Sequence, residues 1–148
     1  MNEMMKDPQV LRSIIMDHYE YPRNHELKED DRYLKKHMAS ESCIDDIHVQ
    51  ARIENGIIED VCFDGVACTI ATSSTSIMSE LMKGKTIAEA RHINEEYRNM
   101  IDGKAYDEDL LEEAVAFQNV GKQANRIHCA TIGWDAIVEL MKESEGTE

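Results

Sequence analysis

Ile47-His48-Val49-Gln50-Ala51-Arg52-Ile53-Glu54-Asn55-Gly56-Ile57, continued by Ile58-Glu59-Asp60-Val61-Cys62-Phe63, is the stretch that decides the fold. Ile47, Val49, Ala51 and Ile53 alternate with His48, Gln50 and Arg52, the two-residue period of a half-buried strand. Asn55-Gly56 then supplies a two-residue hairpin signal, since both central positions of a type I′ turn need positive φ. The return strand puts Ile57, Val61 and Phe63 on one face. Leu34 to Ala39 is expected to add a third strand.

Upstream, Asp7-Pro8 opens a helix, because Asp caps and Pro suits the first turn. Leu11, Ile14, Ile15 and His18 follow at helical spacing, and Tyr21-Pro22-Arg23-Asn24 reads as the exit turn before a polar loop to about Asp31. Downstream, Ile70, Ser74, Ile77, Met78 and Leu81 make one helical stripe ended by Gly84. The small residues Ala71, Ser73, Ser74 and Ser76 are expected to let this helix sit close against the sheet. A second helix spans Thr86 to Ile101, with Thr86 and Glu89 in capping-box register. Asp102-Gly103 breaks it, and a shorter helix falls within Asp107 to Phe117. The last helix is expected from about Ala130 to Met141, burying Trp134, Ile137 and Val138. Lys142 to Glu148 reads as a frayed tail. With no internal repeat and no Pro-, Gly- or Ser-rich linker, residues 1–148 read as one α+β domain. Its architecture is a small, about three-stranded antiparallel sheet with helices packed on it.

At 148 residues and 42% hydrophobic composition the chain can bury a sizeable core. The formal net charge of -14 repels phosphate backbones, which argues against nucleic acid as a partner. Apolar stretches are far shorter than the roughly 20 residues of a membrane-spanning helix. Met1 to Asp7 lacks the basic-then-apolar order of a secretory signal. The expected compartment is therefore the cytoplasm, where four cysteines stay reduced and are read for metal or sulfur chemistry.

Three of those cysteines sit at element boundaries. Cys43 lies in the loop before the first alternating strand, Cys68 ends the turn between the return strand and the small-residue helix, and Cys129 is expected to open the last helix. A helix N-terminus favours the thiolate, the form that attacks sulfur and binds metal. Asp45, two residues after Cys43, points to the same side of an extended chain as that thiol. Three thiolates and a carboxylate make a four-coordinate site suited to zinc or iron. His128, beside Cys129, is a further candidate ligand that could replace Asp45. No C-x-x-C pair is present, so the spacing is not that of a zinc finger, and a cysteine taken alone is more often an ordinary core residue than a ligand. Cys62 shares a strand face with Asp60 and Asp64 and reads as a bystander.

At these residues the sequence resembles the IscU/SufU (NifU N-terminal-like) family of iron–sulfur cluster assembly proteins, most closely its SufU branch. The likeness runs from about Leu11 to Leu140. It is carried by Ile15-Met16-Asp17-His18-Tyr19, Pro22-Arg23-Asn24, Cys43-x-Asp45, Phe63-Asp64-Gly65-x-x-Cys68-x-Ile70, and Arg126-Ile127-x-Cys129-Ala130-Thr131 with Trp134. The resemblance implies a SufE/NifU-like fold and the ligand set Cys43, Asp45, Cys68 and Cys129. Lys104-Ala105-Tyr106-Asp107 looks like part of the insertion that marks SufU-type members. Three departures stand out. Ile44 occupies the position usually held by Gly, which predicts a stiffer loop. His128 stands where the SufU branch carries Lys and the IscU branch His. Asn119-Val120-Gly121-Lys122-Gln123 replaces the chaperone motif of IscU, so delivery through a dedicated Hsp70 system is not expected.

The resemblance implies a zinc-bound sulfur acceptor that takes persulfide sulfur from a SufS/IscS-like cysteine desulfurase, at most a sulfurtransferase acting with it. Cys43 is the expected acceptor, and Arg126 a helper that pairs with Asp45 during ligand exchange. Downstream recipients would be a Suf scaffold or apo-proteins. The alternative is an IscU-like scaffold on which a [2Fe–2S] cluster is assembled on Cys43, Cys68 and Cys129 and passed on. A third reading is a structural zinc module whose metal only supports folding.

Overall fold

A computed structural model describes residues 7–39 and 44–146. Among these, three strands and five α-helices follow one another as α1 (Pro8–Glu20), β1 (Tyr33–Ala39), β2 (Asp46–Glu54), β3 (Ile57–Val66), α2 (Thr69–Met82), α3 (Ile87–Ile101), α4 (Glu108–Leu111) and α5 (Ala124–Gly146). The strands form an antiparallel sheet in the order β1-β2-β3. The α+β class and the third strand are therefore as expected. Asn55 and Gly56 take φ of 55° and 74°, the paired positive values a type I′ turn requires.

The sheet departs from simple alternation in two places. Arg52 pairs with Asp60 but Ile53 pairs with Ile58, so Glu59 is an extra residue and β3 is bulged there. A bulge shifts the alternation by one. Ile58, not Ile57, therefore joins Val61 and Phe63 in the core. On the opposite face, Gln50 and Cys62 are buried although their position predicts exposure. The loop after α1 covers them. Lys28 donates its backbone N–H to Gln50 Oε1 at 2.7 Å, and Gln50 Nε2 donates back to the Lys28 carbonyl at 3.0 Å. Cys62 Sγ donates to Gln50 Oε1 at 3.2 Å.

Burial pushes the Cys62 thiol from its ordinary 9.0 up to about 11, with Asp60 adding to the shift. The folded state thus holds the neutral thiol where the unfolded chain ionises. This contribution to stability is complete below pH 9.0 and is lost as pH rises toward about 11. At neutral pH the thiolate fraction of Cys62 in the folded chain is about 100-fold below that of the unfolded chain. Alkylation followed by mass spectrometry is expected to label Cys62 at least that much more slowly in the native protein than in urea. Equal rates would place Cys62 outside the core.

α5 is the central helix. It packs on α2, β1 and β2 and is buried on nearly every side, through Ala130, Ile132, Trp134, Ile137, Leu140 and Met141. It begins six residues earlier than its periodicity predicts, because the polar run Asn125-Arg126 and His128 occupies exposed helical positions. It also continues beyond Met141. The expected tail is helical to Gly146, with Ser144 buried and Glu145 paired to Arg91.

The small residues of α2 serve helix contacts more than sheet contacts, which corrects the expectation from sequence. Ser76 Oγ lies 2.8 Å from His18 Nδ1 of α1 and accepts the Arg23 backbone N–H at 2.9 Å. On the α5 side, a Cβ on Gly133 would lie 2.4 Å from Thr75 Oγ1, so α2 and α5 cross at a separation only glycine permits. Ser74 Oγ donates to the Ala130 carbonyl at 2.6 Å, Tyr97 OH donates to the same carbonyl at 2.7 Å, and Trp134 Nε1 donates to Ser74 Oγ at 3.0 Å. The Tyr97 and Trp134 rings stack at 3.8 Å. α2, α3 and α5 are thereby locked at the residue that follows Cys129. Thr86 and Glu89 form the expected capping box of α3, with N–H to oxygen distances of 2.9 and 3.1 Å. No helix among the described residues is long and apolar enough to cross a membrane.

Candidate metal centre

Asp45, Cys68 and Cys129 come together at one end of the α2–α5 pair. One ligand atom from each lies within 4.8 Å of the other two. Each reaches the site by a different route. Asp45 ends the segment that enters β2 and is almost fully buried. Cys68 is the N-cap of α2, with extended backbone angles of φ -69° and ψ 172°. Cys129 lies in the second turn of α5 and is buried.

The Asp45 carboxylate organises this group. Its Oδ1 accepts the Cys68 backbone N–H at 2.8 Å, while Cys68 Sγ approaches Oδ2 at 3.9 Å. Cys68 Sγ also accepts the Ala71 N–H at 3.4 Å, as an N-cap side chain does. The position of Cys68 at a helix N-terminus is thus as expected. That of Cys129 is not: its N–H is well inside α5, so no end-of-helix field favours its thiolate. Instead, burial first, then the Cys68 thiol and the Asp45 carboxylate beside it, push the Cys129 thiol above its ordinary range. An incoming cation must therefore displace a proton from Cys129, and the thiolate is stabilised by the cation itself.

Two sulfurs and a carboxylate oxygen that converge within 4.8 Å, at least two of their residues buried, suit a thiophilic, borderline cation such as zinc or ferrous iron. Cys43, expected as the fourth ligand, lies outside the described residues. His128 and Arg126 are exposed on the first turns of α5, and His128 is not part of the three-residue group. Ile44, the departure from the usual glycine, is 67% exposed, and Val66 is 66% exposed two residues before Cys68. Ile44 precedes the buried Asp45 in the chain, and Val66 pairs across the sheet with Asp46, the residue after it.

Sequence reading missed how strongly the surroundings fix these ligands. The Ala130 carbonyl clamp and the Asp45 to Cys68 N–H bond have no local signature, since each joins residues more than twenty positions apart. A second arrangement looks catalytic but is not. His18 sits between Ser76 Oγ at 2.8 Å and Glu113 Oε1 at 3.2 Å, in the order of a hydrolase triad. Ser76 is fully buried and already engaged by the Arg23 N–H, so its hydroxyl has no path to a substrate.

Known proteins share this plan. The sequence signature of the NifU-like N terminal domain matches residues 11–146. The chain is 35% identical over 138 residues to a zinc-dependent sulfurtransferase SufU of Bacillus subtilis (strain 168), covering 93% of this chain and 92% of that protein. It is 29% identical over 137 residues to an iron–sulfur cluster assembly scaffold protein IscU of Streptococcus pyogenes serotype M1, covering 92% and 85%. A crystal structure from Fervidobacterium islandicum AW-1, described as an iron–sulfur cluster assembly scaffold protein for the SUF system, superposes with a TM-score of 0.75 at 28% identity. It covers 83% of this chain and 90% of that one.

Proposed function

The chain belongs to the family of NifU-like N-terminal domains, and on that premise we propose that it is an iron–sulfur cluster assembly protein acting as a zinc-bound sulfur acceptor. The observation that carries this reading is the convergence of Asp45, Cys68 and Cys129 within 4.8 Å. The same positions complete a four-ligand set once Cys43 is included. Likeness to a SufU described as zinc-dependent favours zinc and sulfur transfer over the scaffold role.

In this reading Cys43, Asp45, Cys68 and Cys129 hold the ion. Zinc, when bound, would keep the thiolates deprotonated and shield them from stray oxidation. Cys43, as its thiolate, would attack the outer sulfur of a persulfide presented by a cysteine desulfurase. A new S–S bond forms on Cys43, and the bond to the desulfurase cysteine breaks, releasing it as a thiolate. Electrons balance without a further oxidant. Arg126 precedes Cys129 by three residues, which puts the two on one face of α5. In this reading its cation pairs with Asp45 as the ligands exchange, and His128 is the alternative donor. Exposed Ile44 and Val66 offer the apolar contact on which the partner settles.

The scaffold reading, a [2Fe–2S] cluster built on the same cysteines, is favoured by the likeness to IscU and the SUF-system scaffold. One experiment separates them. Protein purified without added metal is expected to carry one zinc per chain by elemental analysis and to increase sulfide release from a cysteine desulfurase. A zinc-free protein that leaves the desulfurase unchanged, yet holds a transferable cluster after anaerobic reconstitution, would replace the acceptor reading by the scaffold.

A further inference from the structure

The entry into β2 carries two neighbouring carboxylates with opposite environments. Asp45 is buried among the thiols, whereas the side chain of Asp46 is 53% exposed. Two residues further along β2, on the face of Asp46, comes His48. His37 of β1 is its direct cross-strand partner, and Asp46 pairs with Ala39. The register therefore gathers His37, Asp46 and His48 on one exposed face. Their donor atoms lie within 4.8 Å of one another. His37 Nε2 is 2.7 Å from Asp46 Oδ1, and His48 Nε2 is 3.9 Å from that same oxygen. The two imidazole rings stack face to face at 4.3 Å with 8° between their planes, so at least one ring must turn out of the stack to aim both in-plane lone pairs at one ion.

From this juxtaposition of His37, Asp46 and His48 we infer a second metal site, for a divalent transition-metal ion such as zinc or ferrous iron. Two imidazole nitrogens and one carboxylate oxygen are the donors such ions take. Tetrahedral zinc with bonds near 2.0–2.2 Å holds its donors about 3.4 Å apart. The separations of 2.7 and 3.9 Å from Asp46 Oδ1 to the two imidazole nitrogens bracket that value, and turning a ring out of the stack completes the set. All three side chains are about half exposed, which leaves the remaining coordination positions to water and lets the ion exchange rapidly. The chain's net charge of -14 adds a long-range attraction for cations. Mg2+ is disfavoured, because it demands oxygen ligands in a strict octahedron. The site does not depend on the sulfur-acceptor role, nor on the thiol ligands.

Calorimetric titration of Zn2+ into the chelator-cleared full-length chain tests the site. The expected result is two classes of binding, a tight one abolished by Cys68→Ser and a weaker one that survives it. His37→Ala or His48→Ala should weaken the second class more than about tenfold, and the double substitution should remove it with the tight class intact. Histidine ring NMR signals of His37 and His48 should shift together as the weaker class fills. The inference is overturned if no second class exists, if it persists in the double variant, if Mg2+ fills it equally well, or if His25, His92 or His128 responds instead. Absence of the tight class alone would count against the thiolate centre and leave this site standing.

Discussion

Cys43→Ala is expected to reduce desulfurase stimulation to the level of the desulfurase alone, while the protein stays folded and retains metal at lowered affinity. Burial decides which thiols can serve. Cys62 and Cys129 are almost inaccessible, so neither reaches a partner's persulfide without opening the core. Cys68 is half-buried, but its sulfur accepts the Ala71 N–H at 3.4 Å and lies against Asp45, so moving it uncaps α2. Losing a cap costs about 1 kcal/mol. Ile44, the residue after Cys43 in the chain, is exposed. The contrast with the other ligands gives the test its resolution. Cys68→Ser and Cys129→Ser should lose metal first and stimulation as a consequence, whereas Cys43→Ala should lose stimulation with Asp45, Cys68 and Cys129 still holding an ion. Sulfide release and elemental analysis on the same preparations read both effects. Wild-type stimulation by Cys43→Ala would remove that residue from the acceptor role.

The sheet was legible because its signals are local. Asn55-Gly56 and the alternation around Val49 carry their meaning within a few residues, and so does the Thr86 and Glu89 box. α5 was legible as a helix over Ala130 to Met141 but not in its bounds, because a helix buried nearly all round has no polar stripe to define its ends. Its first turns carry Asn125, Arg126 and His128, so the unbroken buried run begins only at Cys129, the sixth residue of a helix that starts at Ala124. That misplacement made Cys129 look like a helix-capping thiolate, when it is a buried thiol held neutral by its surroundings. The bulge at Glu59 was hidden for a related reason, since a single extra residue changes no composition and only the register with β2 reveals it. Asp45, Cys68 and Cys129 could be named from the sequence, but their meeting within 4.8 Å could not be seen there. His37, Asp46 and His48 were invisible as a group, because their meeting depends on the pairing of β1 with β2.

The arrangement also explains a stabilising trade within the centre. A buried carboxylate beside two thiols is costly unless its lone pairs are used. Asp45 uses Oδ1 on the Cys68 N–H at 2.8 Å, and Oδ2 faces the Cys68 sulfur. The Ala130 clamp fixes the other wall, next to Cys129. Rigid walls on both sides hold the donors close before any ion arrives, which lowers the reorganisation needed for binding.

Gly65→Ala is expected to destabilise the fold by about 3 kcal/mol and to lower metal affinity at the same time. Gly65 has φ of +137°, a conformation L side chains rarely adopt, and it pairs with Ile47 across the sheet. A Cβ there would stand 2.2 Å from the Asp46 carbonyl oxygen and 2.8 Å from the Ile47 Cα. Both are backbone atoms, so relief requires the start of β2 to move. Asp45 is the preceding residue and moves with it, loosening its hold on the Cys68 N–H. Two other glycines separate the causes. Gly56 has φ of +74° but open space around it, so Gly56→Ala should cost only the conformational term, about 1 kcal/mol, and spare the metal. At Gly121 a Cβ would meet the Ile101 carbonyl oxygen at 1.9 Å, on the segment before α5. Gly121→Ala should therefore destabilise severely, yet alter metal affinity less than Gly65→Ala does. With domain stabilities near 5–15 kcal/mol, the Gly65 variant remains folded enough to measure. Urea unfolding and competition with a chromophoric zinc chelator would be run on all three variants. If Gly65→Ala matched Gly56→Ala in both measurements, β2 would not be the rigid support that holds Asp45 in the centre.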